Sequence, residues 1–298
     1  MFGSMTFCQE YDCLWVEQVF YLSSSITESL NTDTIRLAGH SDLDAIVAVA
    51  IAALPADPVN PYRYPRWQEF PEDYAKFTRI RYAGWLAEPN NVVMVCEVPG
   101  SDLGNTPDAQ ERETAGLGTV EKGDRRIVGF SIWELPPSQR VAAQDERADR
   151  DPSSVTTENA LGRLSPALNS SIQAKGVQAP SKERPDANPA RVAKYTEEFL
   201  KAKHRFFEEP FGDKNLYLSI LACHPAYHRR GIGKQLVRWG LEKARREGLD
   251  LTVFGSPMGS LLYRNVGFRE VGKFRVQVDG EEEYLDTLAM VLENKDIA

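Results

Sequence analysis

Long apolar runs, cysteine, histidine and early positive charge are all scarce in this chain, and each shortage excludes something. The longest uninterrupted apolar run, Ala45 to Leu54, is ten residues, where a bilayer-crossing helix needs about 20. No membrane association is therefore expected. No Lys or Arg precedes Arg36, while Glu10, Asp12, Glu17 and Glu28 do. That argues against a secretory leader and against a basic transit peptide. The four cysteines (Cys8, Cys13, Cys96, Cys223) form no C-x-x-C and have no nearby pair of histidines, so no metal site is expected. Reduced thiols in a cytoplasmic protein are the default reading, with the nucleus not excluded. A formal net charge of −8 disfavours nucleic acid as a partner. No internal repeat is visible.

What is present is concentrated in Leu216 to Glu247. Leu216, Leu218, Ile220 and Ala222 alternate with Tyr217, Ser219, Leu221 and Cys223, the period of a strand, which should stop before Pro225. After HRRGIGKQ, apolar Ile232, Leu236, Val237, Leu241 and Ala244 recur at helical spacing up to Gly248. A strand that passes through a glycine turn into a helix start suits an anion, because the first helical N–H groups lack intrahelical partners and the helix dipole is positive there. Between Arg229 and Arg246 there are seven Lys and Arg and a single acid, Glu242, against the acidic trend of the chain. Phosphate is the implied ligand. A dinucleotide loop fails because its third glycine falls on Leu236; a P-loop fails because its first glycine falls on His228 and its Ser/Thr on Gln235.

The stretch resembles the acyl-CoA motif of the GNAT N-acyltransferase superfamily, a hydrophobic strand followed by [QR]-x-x-G-x-[GA] at a helix start. The resemblance puts Arg229, Arg230, Gly231, Ile232, Gly233 and Lys234 at the pyrophosphate turn, with His228 standing where the family prefers Gln or Arg. It puts Leu221 and Cys223 at the strand positions whose backbone meets the pantetheine arm. Downstream, GSPMGSLLYRNVGF (Gly255 to Phe268) resembles the family's next segment, in the family's order and spacing. The implied cosubstrate is acetyl-CoA.

The expected fold is α/β (α+β): one GNAT-like domain with a central mixed, mostly antiparallel sheet flanked by helices, carrying long polar insertions. Residues 1–32 read as an N-terminal extension and 33–298 as the N-acetyltransferase domain, interrupted by flexible insertions at about 99–126 and 136–187. The second insertion carries seven acids and seven bases and should stay outside the core. Helices are expected over Leu43–Leu54, Pro71–Ala87 and Pro189–Glu208, and strands over Thr34–Ala38, Asn91–Val98, Arg126–Leu135, Phe268–Val278 and Glu283–Leu292. PADPVNPYRYP, with four prolines, should be an irregular loop. The resemblance puts this region at the acceptor pocket, where the aromatics Tyr62 and Tyr64, with Trp67 just beyond, would suit an organic amine.

Amine acylation without a covalent enzyme intermediate needs a deprotonated amine, a polarised carbonyl and a proton for the departing thiolate. The resemblance implies that the backbone near Leu221 and Cys223, where the family's strands splay apart, polarises the carbonyl. Tyr263, in LLYRNVGF, matches the family's usual general acid. The base stays open: Glu134 at a strand end is a candidate, and Tyr217 and Ser219, on the face expected for Leu221 and Cys223, could carry a water wire. Cys223 and His224 are neighbours but point to opposite strand faces, so no acyl-cysteine dyad is expected. A small-molecule amine is the expected acceptor. A protein N-terminus or lysine, or a non-catalytic acyl-CoA-binding scaffold, are the alternatives.

Overall fold

The computed structural model describes residues 33–105, 124–139 and 184–297. The expectations placed on 1–32, and on most of the two insertions, lie outside these residues.

Seven strands form one sheet: β1 (Thr34–Leu37), β2 (Asn91–Pro99), β3 (Arg125–Glu134), β4 (Asn215–Cys223), β5 (Asp250–Gly255), β6 (Arg269–Gln277) and β7 (Tyr284–Leu292), in the order β1-β2-β3-β4-β5-β7-β6. Every neighbouring pair is antiparallel except β4 and β5. The mixed, mostly antiparallel sheet expected from the sequence is the one found. The parallel pair requires a crossover, and α5 (Ile232–Glu247) provides it. Gly231 and Gly248, both left-handed, bound that helix, and it buries Ile232, Leu236, Val237, Gly240 and Ala244 against one sheet face.

The other face carries the remaining long helices. α1 (Leu43–Ala53) buries Ile46, Val47, Val49 and Ala50. α3 (Pro71–Ala87) starts with a proline that has no N–H to waste, places Glu72 and Asp73 at its positive end, and buries Tyr74, Phe77, Thr78, Tyr82 and Leu86. These two cover β2 and β3. α4 (Pro189–Lys203), whose N–H groups at Ala190 and Arg191 donate to the Asn188 side chain, covers β6 and β7 through Tyr195, Phe199 and Phe274. It was expected to reach Glu208 as one helix, but His204–Glu208 widens into a π turn. Pro210 follows, and its ring would press on the Phe206 carbonyl in a regular helix. No helix among the described residues is long and apolar enough to cross a membrane.

Three local expectations are corrected. The proline-rich loop contains α2 (Val59–Arg63), because Pro58 and Pro61 lie at or before its first turn, where no intrahelical donor is needed. The end of the second insertion packs: Arg184 lies over the rings of Tyr64 and Phe77, at 4.1 and 4.7 Å, and pairs with Asp186, which is fully buried. Finally, β4 does not alternate strictly. Ile132 faces Ile220 while Trp133 faces Leu218, leaving Ser219 as an extra residue in a bulge. The side-chain phase therefore inverts. Leu216, Leu218, Leu221 and Cys223 all belong to the core under α5, while Tyr217 packs with Phe207 and Val291 on the opposite face. The expected shared face for Tyr217, Leu221 and Cys223 is thus wrong.

Candidate active site

β4 and β5 pair from Asn215 and Asp250 as far as Leu218 and Val253, and then part. β5 keeps β7 as its partner to Gly255, and β4 keeps β3 to Cys223. The amide of His224 donates to the Val128 carbonyl at 2.8 Å. In an antiparallel ladder alternate residues turn their amides to the same side, so Ala222 and Ile220 also face β3. The backbone groups of Leu221 and Cys223 therefore face the gap. That gap widens into a cleft of about 850 Å³, walled by β4, the start of α5, the end of β5 and α6 (Gly259–Val266).

The turn at the cleft mouth is built from its own backbone. His224 Nδ1 accepts the Ala226 N–H at 3.2 Å, and His228 Nε2 lies 2.9 Å from the Cys223 carbonyl oxygen. Arg229 and Gly231 both have positive φ, 64° and 85°. The first helical bond of α5 runs from the Gln235 N–H to the Gly231 carbonyl at 3.0 Å. Hence the N–H groups of Ile232, Gly233 and Lys234 have no partner within the helix. Gly233 is close against the cleft wall: a Cβ there would lie 3.1 Å from Leu262, 3.6 Å from Leu221 and 3.7 Å from the Cys223 sulfur.

Further in, Tyr263 is buried, its ring set against Gly255 and Gly259 and 5.7 Å from the Phe268 ring. Burial holds its phenol well above the ordinary tyrosine value, so it stays protonated across the neutral range. Glu134 and Lys203 line the same cleft as a pair, Nζ to Oε2 2.6 Å, with Nζ 4.7 Å from the centre of the Tyr217 ring. No cluster of His, Cys, Asp and Glu that could hold a metal occurs among the described residues.

Residues 198–270, from the end of α4 through the cleft to the start of β6, match the family model described as an acetyltransferase (GNAT) domain. The match covers the segment that builds the cleft, and the chain resembles a GNAT acetyltransferase domain there. It is similar to a Stachybotrys chartarum protein described as an acetyltransferase, 21% identical over 250 residues that cover 84% of this chain and 86% of that one. Solved structures similar to it include a histone acetyltransferase HPA2 and related acetyltransferase from Corynebacterium glutamicum (16% identity, 87% of this chain and 95% of that one, TM-score 0.46). Another is the PaiA N-acetyltransferase of Thermoplasma acidophilum in complex with coenzyme A (10% identity, 88% and 99%, TM-score 0.39). Both sequence matches support an acetyltransferase of GNAT type.

Within this segment, Leu221, Cys223, Arg229, Gly231, Ile232, Gly233, Lys234 and Tyr263 all line the cleft. Arg230 departs from the expectation. Its guanidinium donates through Nη1 to Asp102 at 2.8 Å and through Nη2 to the other carboxylate oxygen, outside the cleft lining. The hydrogen bonds from Arg230, the largest influence, hold the Asp102 carboxyl below its ordinary range. Arg230 is a brace. The same segment donates the Asn105 N–H to the Ala226 carbonyl at 2.7 Å and accepts the Tyr227 hydroxyl on the Asp102 carbonyl at 2.7 Å. Sequence reading had assigned this stretch to an exposed insertion. The signal was the Asp-x-Gly turn, in which the Gly104 N–H donates to Asp102.

Burial pushes the Cys223 thiol up to about 12, so it stays a thiol and is no nucleophile at neutral pH. The aromatic acceptor pocket is also corrected. Tyr62 and Tyr64 are buried, and neither they nor Trp67 line the cleft. Trp85 does, together with two arginines the sequence reading passed over, Arg63 and Arg81.

Proposed function

We propose that the protein transfers an acetyl group from acetyl-CoA to an amine, more readily that of a small molecule, by direct attack within a ternary complex. The observation that carries this reading is the parted β4 and β5, which leaves the backbone of Leu221 and Cys223 facing a cleft between a helix start and Tyr263. The pyrophosphate would take the free N–H groups of Ile232, Gly233 and Lys234, with Arg229 and Lys234 adding charge. The pantetheine arm would lie along Leu221 and Cys223 as an added strand edge, directing the thioester into the gap. An amide facing that gap would hold the carbonyl oxygen as it gains charge. The amine nitrogen forms the C–N bond, the C–S bond breaks, and Tyr263 gives its proton to the sulfur. The amine's proton leaves through the open cleft, and Tyr263 is reprotonated from solvent. In this reading residues 33–298 act as one catalytic domain and 1–32 as an extension of it.

The test is to incubate purified protein and acetyl-CoA with a panel of small amines and peptides, following free thiol and the mass of the product. Acceptor-dependent thiol release with an N-acetylated product is expected. Tight acetyl-CoA binding without transfer to any member would point instead to a non-catalytic acyl-CoA-binding module.

A further inference from the structure

Resting on that reading, we propose that the acceptor carries an anionic group besides its amine, a carboxylate being the simplest, held by Arg63 and Arg81 across the sheet from α5. Both arginines are among the residues that line the cleft. Both converge on Tyr64, their central carbons 5.1 and 5.3 Å from its ring centre. Arg81 donates to the Tyr64 hydroxyl, and Arg63 donates through Nε to the Val59 carbonyl at 3.1 Å. Neither has a carboxylate partner among the described residues. Their neighbour Arg184 does, in Asp186, so this corner is compensated at one arginine and left positive at two.

The acids lining the cleft form no ion pair with either arginine, and Glu134 is paired with Lys203. Two arginines packed on aromatic rings, with their charge unmet by protein, repel a simple ammonium and attract a planar anion that can take parallel hydrogen bonds. An acceptor with an amine directed to the β4 gap and a carboxylate directed to Arg63 and Arg81 satisfies both ends of the cleft. Amino acids and amines bearing a remote carboxylate are the class it fits.

The experiment compares matched pairs that differ only by the carboxylate, such as an arylalkylamine and the amino acid with the same side chain, as acceptors in acetyl transfer. The corresponding N-acetylated products are titrated into the protein by calorimetry in parallel. A charge-assisted hydrogen bond is worth about 1.5–3 kcal/mol, so the carboxylated member should be favoured by roughly ten- to hundredfold. Arg63→Gln and Arg81→Gln should each collapse the ratio within the pair, and Arg63→Lys should restore part of it. Acetyl-CoA affinity reports that each variant is folded. Equal use of both members, or ratios unchanged in the variants, overturns the proposal while acetyl transfer itself stands. No transfer to any acceptor defeats the parent reading; the product titrations then still decide whether this corner selects an anion.

Discussion

Tyr263→Phe separates chemistry from architecture because of where the hydroxyl lies. No protein group hydrogen-bonds to it among the described residues, so removing it leaves no buried partner unsatisfied. The ring keeps its seat between Gly255, Gly259 and Phe268. Stability should therefore change by less than about 1 kcal/mol, and acetyl-CoA affinity should hold. Turnover should fall by roughly 10²–10⁴, or about 2.7–5.4 kcal/mol of barrier, at the low end because a thiolate leaves fairly well unaided. The raised phenol adds a sign. An acid works while protonated, so loss of Tyr263's proton should not depress the wild-type rate at neutral or mildly alkaline pH. The assay is rapid-quench measurement of the first turnover with saturating acetyl-CoA, across pH. A phenylalanine variant whose chemical step runs at the wild-type rate would refute the assignment.

Other outcomes follow from the same geometry. Gly233→Val should abolish acetyl-CoA binding, because Cβ would already lie 3.1 Å from Leu262 and close to Leu221 and the Cys223 sulfur, so its branches would crowd the cleft wall; Arg229→Ala should weaken it only modestly, and calorimetry showing wild-type affinity for the valine variant refutes this. Replacing residues 140–182 with a short Gly/Ser bridge should keep cooperative unfolding, since loop closure changes by only ~0.6 kcal/mol per doubling of length. Arg184→Ala, by contrast, strands the buried Asp186 and should cost about 3–5 kcal/mol in a denaturant titration; a loss under 1 kcal/mol would count against it. Burial alone would raise the Tyr64 phenol, but Arg81, Arg63 and Arg184 outweigh it and bring it down to about 8. The folded state then binds fewer protons than the unfolded chain between about pH 8 and 10, so stability should rise with pH there by up to ~2–3 kcal/mol relative to Tyr64→Phe. An ultraviolet titration in which this difference shows no phenolate below pH 10 would remove the effect.

The glycine turn and the helix after it were legible because local rules are enough for them. Pro225 ends a strand, Gly231 takes a φ of 85°, and the apolar spacing from Ile232 to Ala244 admits one helix face. Tyr263 was legible for a similar reason, its short helix being held between Gly259 and Gly267. Strand order, register and the destination of charges belong to long-range contacts, which no local pattern encodes. The Ser219 bulge is specified by pairing with β3, so strict alternation put Tyr217 on the wrong face. Arg230 looked like a phosphate ligand until Asp102, distant in sequence, took its guanidinium. Tyr62 and Tyr64 looked like a pocket wall until folding buried them and turned Arg63 and Arg81 to the cleft in their place. Sequence alone determined which segment opens a helix at one end of the cleft, because a helix start is a local device. Only tertiary structure decided what the other end of the cleft presents, because that depends on which charges find partners across the sheet.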